Sequence, residues 1–434
     1  LPRNRHGGRP ACARGAGWFS AAASSQHEEA ALKPLAGLKV LELARILAGP
    51  WAGQTLADLG ADVVKIERPG AGDDTRSWGP PFLEGENGER LDAAYFMSCN
   101  RGKRSLAVDF ERPEGREIVR KLALGADVLI ENFKTGGLAK YGLDYESLRP
   151  INPRLIYCSI TGFGHDGPYA PRPGYDFIIQ GMAGAMDLTG EADSEPQKPG
   201  YAIADIFTGV YGVIAIQAAL RRRETTGRGG EIDMALFDTQ ISVLANQAQN
   251  YLVSGRVPRR MGNAHPNLVP YQVFQAADGP IIVATGNDRQ SRDFCRIVGR
   301  EDLASDPQYA SNADRIRHRA KFIGALAEAV AGLNRADLLA ALEAANVPAG
   351  PINTVAEAFA DPQAIARGMR IDLPATGVRG GTAPSVRSPI MLDGEPYAAD
   401  RSAPRLGEHT DEVLAGLGFG EEALAGLRAR GVIG

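Results

Sequence analysis

Between Leu38 and Ile160, short apolar runs alternate with segments of helical character, and that alternation leaves few architectures open to the chain. Leu38–Leu43 reads as a buried strand, Trp51–Leu59 as a helix and Ala61–Ile66 as a second strand. A helix over Glu114–Leu124, a strand over Val128–Asn132, a short helix near Gly137–Tyr141 and a strand over Leu155–Ile160 follow. Strands that alternate with helices pair in parallel and are covered on both faces. The expected fold class is therefore α/β, built on a Rossmann-like parallel sheet.

After Asp205 the pattern predicts a long apolar helix to about Arg222, stopped by Thr225-Thr226-Gly227, and another over Leu236–Leu252. Beyond Gly255 the texture changes. Pro258, Pro266 and Pro270 mark a linker, and Tyr271–Phe274 and Pro280–Ala284 flank Ala276-Ala277-Asp278-Gly279, a hairpin signal. Helices at Arg289–Val298, Arg315–Ala331 and Arg335–Ala345 complete a smaller α+β domain. The expected division is a tail over 1–35, a large domain over 36–255, a small one over 256–355, and a return to the large domain over 356–434.

Composition excludes several classes. With 434 residues, 44% hydrophobic and 23% charged, the chain can bury a large core. A net charge of -4 gives no reason to expect nucleic acid or an anionic membrane as partner. Four cysteines (Cys12, Cys99, Cys158 and Cys295) are scattered without a CxxC pair, so no disulfide framework or metal site is expected. The apolar stretches read as too short, or too interrupted by charge, to span a membrane. Arg3, Arg5, Arg9 and Arg14 precede the first acid, Glu28, which is the composition of a mitochondrial transit peptide. Only nine of the 48 basic residues are Lys, which instead fits a GC-rich bacterial genome, a cytoplasmic protein and a read-through tail. Both readings stand at this point, the cytoplasmic one ahead.

Gly162-Phe163-Gly164-His165-Asp166-Gly167 matches G-x-G-x-x-G after a strand, yet Pro168, Pro171 and Pro173 stop any helix from opening there. A dinucleotide site is therefore rejected. Asp205 lies at the seam between an extended segment and the long helix, where a carboxylate serves as an N-cap or as a nucleophile. Arg68 follows one strand and Asn132 ends another, so both fall where open α/β sheets bind ligands. With Arg101, Lys103, Arg104 and Lys140 they suit a polyphosphate, although solvated surface charge explains each cation taken singly.

Several ordered motifs carry a resemblance. Leu47-Ala48-Gly49-Pro50, the run Ala61 to Gly70, Asn100 to Ser105, Glu131-Asn132-Phe133, Gly174-Tyr175-Asp176, Asp205 and Thr226-Gly227-Arg228-Gly229 resemble the class III CoA-transferases of the formyl-CoA and carnitine type, the CaiB/BaiF-like proteins. The likeness runs from about residue 36 to the C-terminus. It implies an interlocked homodimer, a coenzyme A thioester as substrate and no tightly bound cofactor. It places Asp205 on the catalytic aspartate and Asp176 on an acidic residue near the catalytic centre. Ile46, Arg68, Val108, Asn132, Phe133 and Lys140 fall on the coenzyme surface. An aspartate with an ordinary pKa of about 3.9 is ionised at neutrality and would need no general base.

Two rival readings remain. The α-methylacyl-CoA racemases resemble the same family but need a second base, and Tyr175 occupies the position where they carry His. A catalytically silent acyl-CoA-binding protein would not need Asp205. Val269-Pro270-Tyr271-Gln272 and Val347 to Asn353 resemble the succinyl-CoA-dependent branch that acts on dicarboxylates. A second substrate carboxylate would call for a cation, which Arg172, Arg259 or Arg260 could supply. Gly262 to Pro266 lies where relatives carry a glycine-rich lid, and His265 there is a candidate to orient an acceptor.

Overall fold

The structure is a computed structural model that describes residues 33–434, so the expectation for the arginine-rich tail lies outside the described residues. The chain divides into two compact units. The larger takes the chain as far as Ala183, then Ala202–Val243 and Gly368–Gly434; the smaller takes Gly184–Tyr201 and Leu244–Arg367. These crossings differ from the expected ones near 255 and 355. The helix expected over Leu236–Leu252 breaks at Ala245, whose φ of 48° no helix tolerates. The polar stretch 184–201, expected within the large domain, joins the smaller unit, where Gly262 N donates to Gly190 O and Arg260 pairs with Asp187.

The larger unit contains β1 (Lys39–Glu42), α1 (Ala48–Asp58), β2 (Asp62–Glu67), β3 (Arg104–Ala107), α2 (Pro113–Gly125), β4 (Val128–Glu131) and β5 (Ile156–Thr161). After them come α3 (Asp176–Met182), α4 (Ile203–Thr226), β6 (Gly230–Ala235) and α5 (Leu236–Ser242). Six strands pair in parallel in the order β3-β2-β1-β4-β5-β6, a doubly wound sheet. Side-chain alternation sorts the strand residues between two cores. Leu41, Val64, Ile66, Leu129 and Tyr157 face α2 together with Val413, Leu414, Leu424 and Leu427 of the helices Thr410–Gly416 and Glu421–Ala429. Val40, Val63, Val128, Ile130, Ile156 and Cys158 face α1 and α4.

α4 departs from the sequence expectation. It is 24 residues long, with a mean hydropathy of 1.7 over its most apolar stretch, so by length and composition it reaches a membrane span. One face packs on the sheet and on α1, through buried Ala204, Thr208, Gly209, Gly212 and Ile216. Gly209 permits that approach: a Cβ there would lie 2.6 Å from Ala48 O and 3.1 Å from Trp51 Cβ.

The smaller unit forms its expected hairpin, Tyr271–Ala276 against Gly279–Ala284, with Ala349–Pro351 as a third antiparallel strand. Phe274, Phe294, Phe322, Leu326 and Leu338 fill its core. Buried Arg315 donates to Val269 O at 2.7 Å and Tyr309 O at 3.0 Å, tying its helix to the linker before the hairpin.

Candidate active site

Strand order reverses between β1 and β4, and at such a switch point the connections leave in opposite directions and open a crevice at the carboxyl ends. Asn132, the first residue after β4, bridges it. Its Oδ1 accepts Arg45 N at 2.8 Å and its Nδ2 donates to Arg45 O at 2.6 Å. A cavity of about 280 Å³ opens there, lined by Ile46, Asn132, Phe133, Arg172, Tyr175 and Asp205 among others.

The rim is held under strain. Ile46 sits at φ 72°, a left-handed conformation that costs a β-branched residue about 1–3 kcal/mol. Its N–H is fixed by the Asp73 carboxylate, with N to oxygen distances of 3.2 and 3.3 Å. Asp73 is paired in turn with fully buried Lys65, and Lys65 and Lys103 share Glu42. The charges of its three acidic neighbours outweigh burial and raise the Lys65 pKa, so Lys65 stays charged beneath the rim. The opposite wall is formed where Gly162 crosses Gly174: a Cβ on Gly162 would lie 2.4 Å from Gly174 Cα. The glycine motif rejected as a dinucleotide site thus serves close chain crossing.

Asp205 lies in the first turn of α4, not at its cap. The capping carboxylate is Asp176, whose Oδ1 accepts Ala204 N at 2.9 Å and Asp205 N at 3.3 Å, while Oδ2 accepts from Gln180 Nε2 at 2.6 Å. In this arrangement Asp176 caps the start of α4. Burial, and then the charge of Asp176, push the Asp205 carboxyl up to about 7. Asp205 is therefore near its midpoint at neutrality, where the sequence expectation was an ordinary, fully ionised carboxylate. Tyr95, which the sequence did not single out, feels the charge of Asp205; burial and that charge raise it to about 12, so it remains a neutral phenol.

The cations divide sharply. Arg101 pairs with Asp58, Lys103 with Glu42, and Arg104 with Asp62 and Glu412, all three being buried. Buried charge demands a partner, so these groups are spent inside the fold and the expectation that they meet phosphate is corrected. Val108 likewise lies in the core, 1% exposed, with its backbone bridged to Ile433. Arg68 and Lys140 are exposed but do not line the cavity. Arg172 does, with its guanidinium 4.1 Å from the Tyr169 ring centroid. Arg45 and Lys134 join it there, and their neighbours Ile46 and Phe133 were the available signal. In the smaller unit, Arg260 is taken by Asp187, and the His265 ring accepts Asn267 N at 3.0 Å and stacks on Tyr271.

A model of CoA-transferase family III matches residues 35–410. The succinate–glutarate CoA-transferase of Agrobacterium fabrum is 57% identical over 384 residues, 88% of this chain and 96% of that protein. Human succinyl-CoA:glutarate CoA-transferase is 40% identical over 405 residues, covering 93% of this chain and 90% of its own. A crystal structure of a CAIB/BAIF family protein from Brucella suis superposes with a TM-score of 0.79 at 59% identity, over 89% of this chain and 99% of that one.

Proposed function

Because the chain belongs to CoA-transferase family III, we propose that it moves CoA from succinyl-CoA to another dicarboxylic acid of glutarate's class, with Asp205 as nucleophile. The carrying observation is a carboxylate in the first turn of a long helix, half-buried and facing the switch-point cavity. Its oxygen attacks the thioester carbonyl, the C–S bond breaks, and CoA leaves as thiolate from an acyl-aspartyl anhydride. The thiolate then attacks the aspartyl carbonyl and releases the donor acid, leaving an aspartyl thioester. The acceptor carboxylate attacks that thioester to form a new anhydride, from which thiolate takes the acceptor acyl group and frees Asp205. Covalent catalysis divides one transfer into easier steps.

The surroundings support these roles. The first-turn amides of α4 are occupied by Asp176, so that helix contributes its dipole rather than free donors. α1 has no side-chain cap, and Leu47 and Ala48 at its N-terminus line the cavity, offering amides to a developing oxyanion. Lys134 and Arg172 supply positive charge for phosphate or for a second carboxylate, while Arg45 on the same cavity is held by Asp74 at 2.6 Å. Tyr175 offers no base to pair with Asp205, which disfavours racemisation.

Hydroxylamine or borohydride trapping after incubation with succinyl-CoA should label Asp205. Absence of labelling, or deuterium entering the α-carbon, would overturn the transferase reading. In free enzyme kcat/KM should rise with pH through a midpoint near 7 and level off above it, because the nucleophile must be ionised. Asp176→Asn keeps a capping oxygen but removes the neighbouring charge, so the midpoint should move to lower pH, only part of the way because burial remains the larger cause. A midpoint that stays fixed in this variant would refute that coupling.

The reading extends to a homodimer. Ile206, Val210 and Ile214 of α4 form, with Trp51, Met97 and Ile390, an apolar trough of about 780 Å³ that a second copy would cover. Sedimentation should find a dimer at micromolar concentration; a stable monomer would contradict this.

A further inference from the structure

Behind the cavity, Glu131, Ser159 and Asp233 occupy paired positions on β4, β5 and β6, at the carboxyl end of one sheet face. Two residues earlier the same face carries Leu129 and Tyr157 of the apolar core. Glu131 is 5% exposed and Ser159 2%, and among the described residues no lysine or arginine forms a salt bridge with Glu131. A buried carboxylate of this kind is costly unless hydrogen bonds hold it. Here one does. Its Oε2 accepts Phe133 N at 2.8 Å, and Ser159 is its direct cross-strand neighbour on β5. Ser159 Oγ also lies 2.9 Å from His165 Nε2. His165 is anchored by its own N–H to Asp233 Oδ2 at 2.9 Å, and its ring faces Glu231 and Asp233 at 3.6 and 3.8 Å.

The two ends of this chain of contacts meet opposite walls of the cavity. Phe133 and Asn132 form one wall, and the bond from Glu131 to Phe133 bends the backbone where Asn132 turns toward Arg45. His165 closes the loop that begins at Gly162, whose backbone meets Gly174 beside Tyr175 on the other wall. We infer that Glu131 and His165, joined through Ser159, are positioning residues that set the separation of the two cavity walls and hence the affinity for the CoA thioester. This inference rests on the proposed transferase reading. The groups facing Glu131 are Ser159 and His165, with Glu231 on β6 and Tyr157 on β5; burial first raises the Glu131 carboxyl to about 7. The Glu131 carboxyl is thus raised to the same value as that of Asp205, and separate variants are needed to tell the two apart.

The test compares Glu131→Ala, Glu131→Gln and Ser159→Ala by titration with CoA and by steady-state kinetics with succinyl-CoA. Glu131→Ala should weaken CoA binding and raise KM about tenfold while kcat changes less than threefold. Glu131→Gln, which keeps an oxygen to accept Phe133 N, should restore KM to within about threefold of wild type. Ser159→Ala, which severs the link to His165 but leaves the Phe133 bond, should raise KM by an intermediate factor. Equal losses in Ala and Gln variants, or a fall in kcat at unchanged KM, would overturn the inference while leaving the transferase reading intact. If wild-type protein itself bound no CoA, the reading and the inference would fail together.

Discussion

Asp205→Asn is expected to lower turnover at least about 10³-fold and at the same time to stabilise the fold by about 1–2 kcal/mol. The loss follows from the proposed covalent route, since an amide cannot form the anhydride. The gain follows from linkage. A carboxyl raised to about 7 on folding binds its proton where the unfolded chain has already released it. Native stability therefore declines as pH climbs from about 4 to 7, and the full penalty is present above that range. Asn has no charge to desolvate and no repulsion from Asp176. The figure is set well below the full electrostatic penalty because Asp205 lines an open cavity and keeps part of its hydration. Thermal denaturation of both proteins at pH 8 and at pH 5 checks it. The advantage of the variant should be largest at pH 8 and shrink at pH 5. A variant less stable than wild type at pH 8 would show that Asp205 is well solvated.

Gly209→Val should cost about 3 kcal/mol and remove most activity, although the residue touches no substrate. Its Cβ would collide with the Ala48 carbonyl oxygen and with Trp51, so α4 must move away from α1 or the variant must unfold. Either movement displaces Asp205, one turn earlier on α4, from Leu47 and Ala48 on the shared cavity. Urea denaturation should give a lower midpoint, and succinyl-CoA trapping at Asp205 should fall even under conditions where the variant is folded. Full trapping in a folded variant would mean that the helix contact does not set the nucleophile's position.

Strands β1, β2, β4 and β5 were legible from sequence because they are short apolar runs followed by a helix or a turn signal, whereas β6, with Glu231 and Asp233 exposed, was not read as a strand. The strand order was not legible either, since nothing local in β1 or β4 states which strands they pair with. Asn132 was found through its place at a strand end. Arg101, Lys103 and Arg104 misled, because their partners Asp58, Glu42 and Asp62 lie 42 to 61 residues away and only the fold brings them together. Asp176 was visible as an acid near the centre, but its bond to the start of α4 spans 28 residues. The altered acidity of Asp205 was invisible for the same reason: burial and a neighbouring charge are properties of the assembled pocket. Residues 184–201 fall inside the expected large domain, and only contact with Gly262 and Arg260 assigns them to the smaller unit.

The covering of one sheet face by the last helices bears on how the chain is made. β3 is tied at Ala107 to Thr410 and to Gly434, and Asp109 N donates to Val432 O. During synthesis, Leu106, Val108 and Ile118 therefore leave the ribosome some 300 residues before Val413, Leu414 and Val432 arrive to cover them. Closing so long a span is entropically slow, and meanwhile an apolar sheet face stands open to other nascent chains. Trimming the segment after Gly407 is therefore expected to leave that face uncovered and to produce aggregates rather than a weakened enzyme.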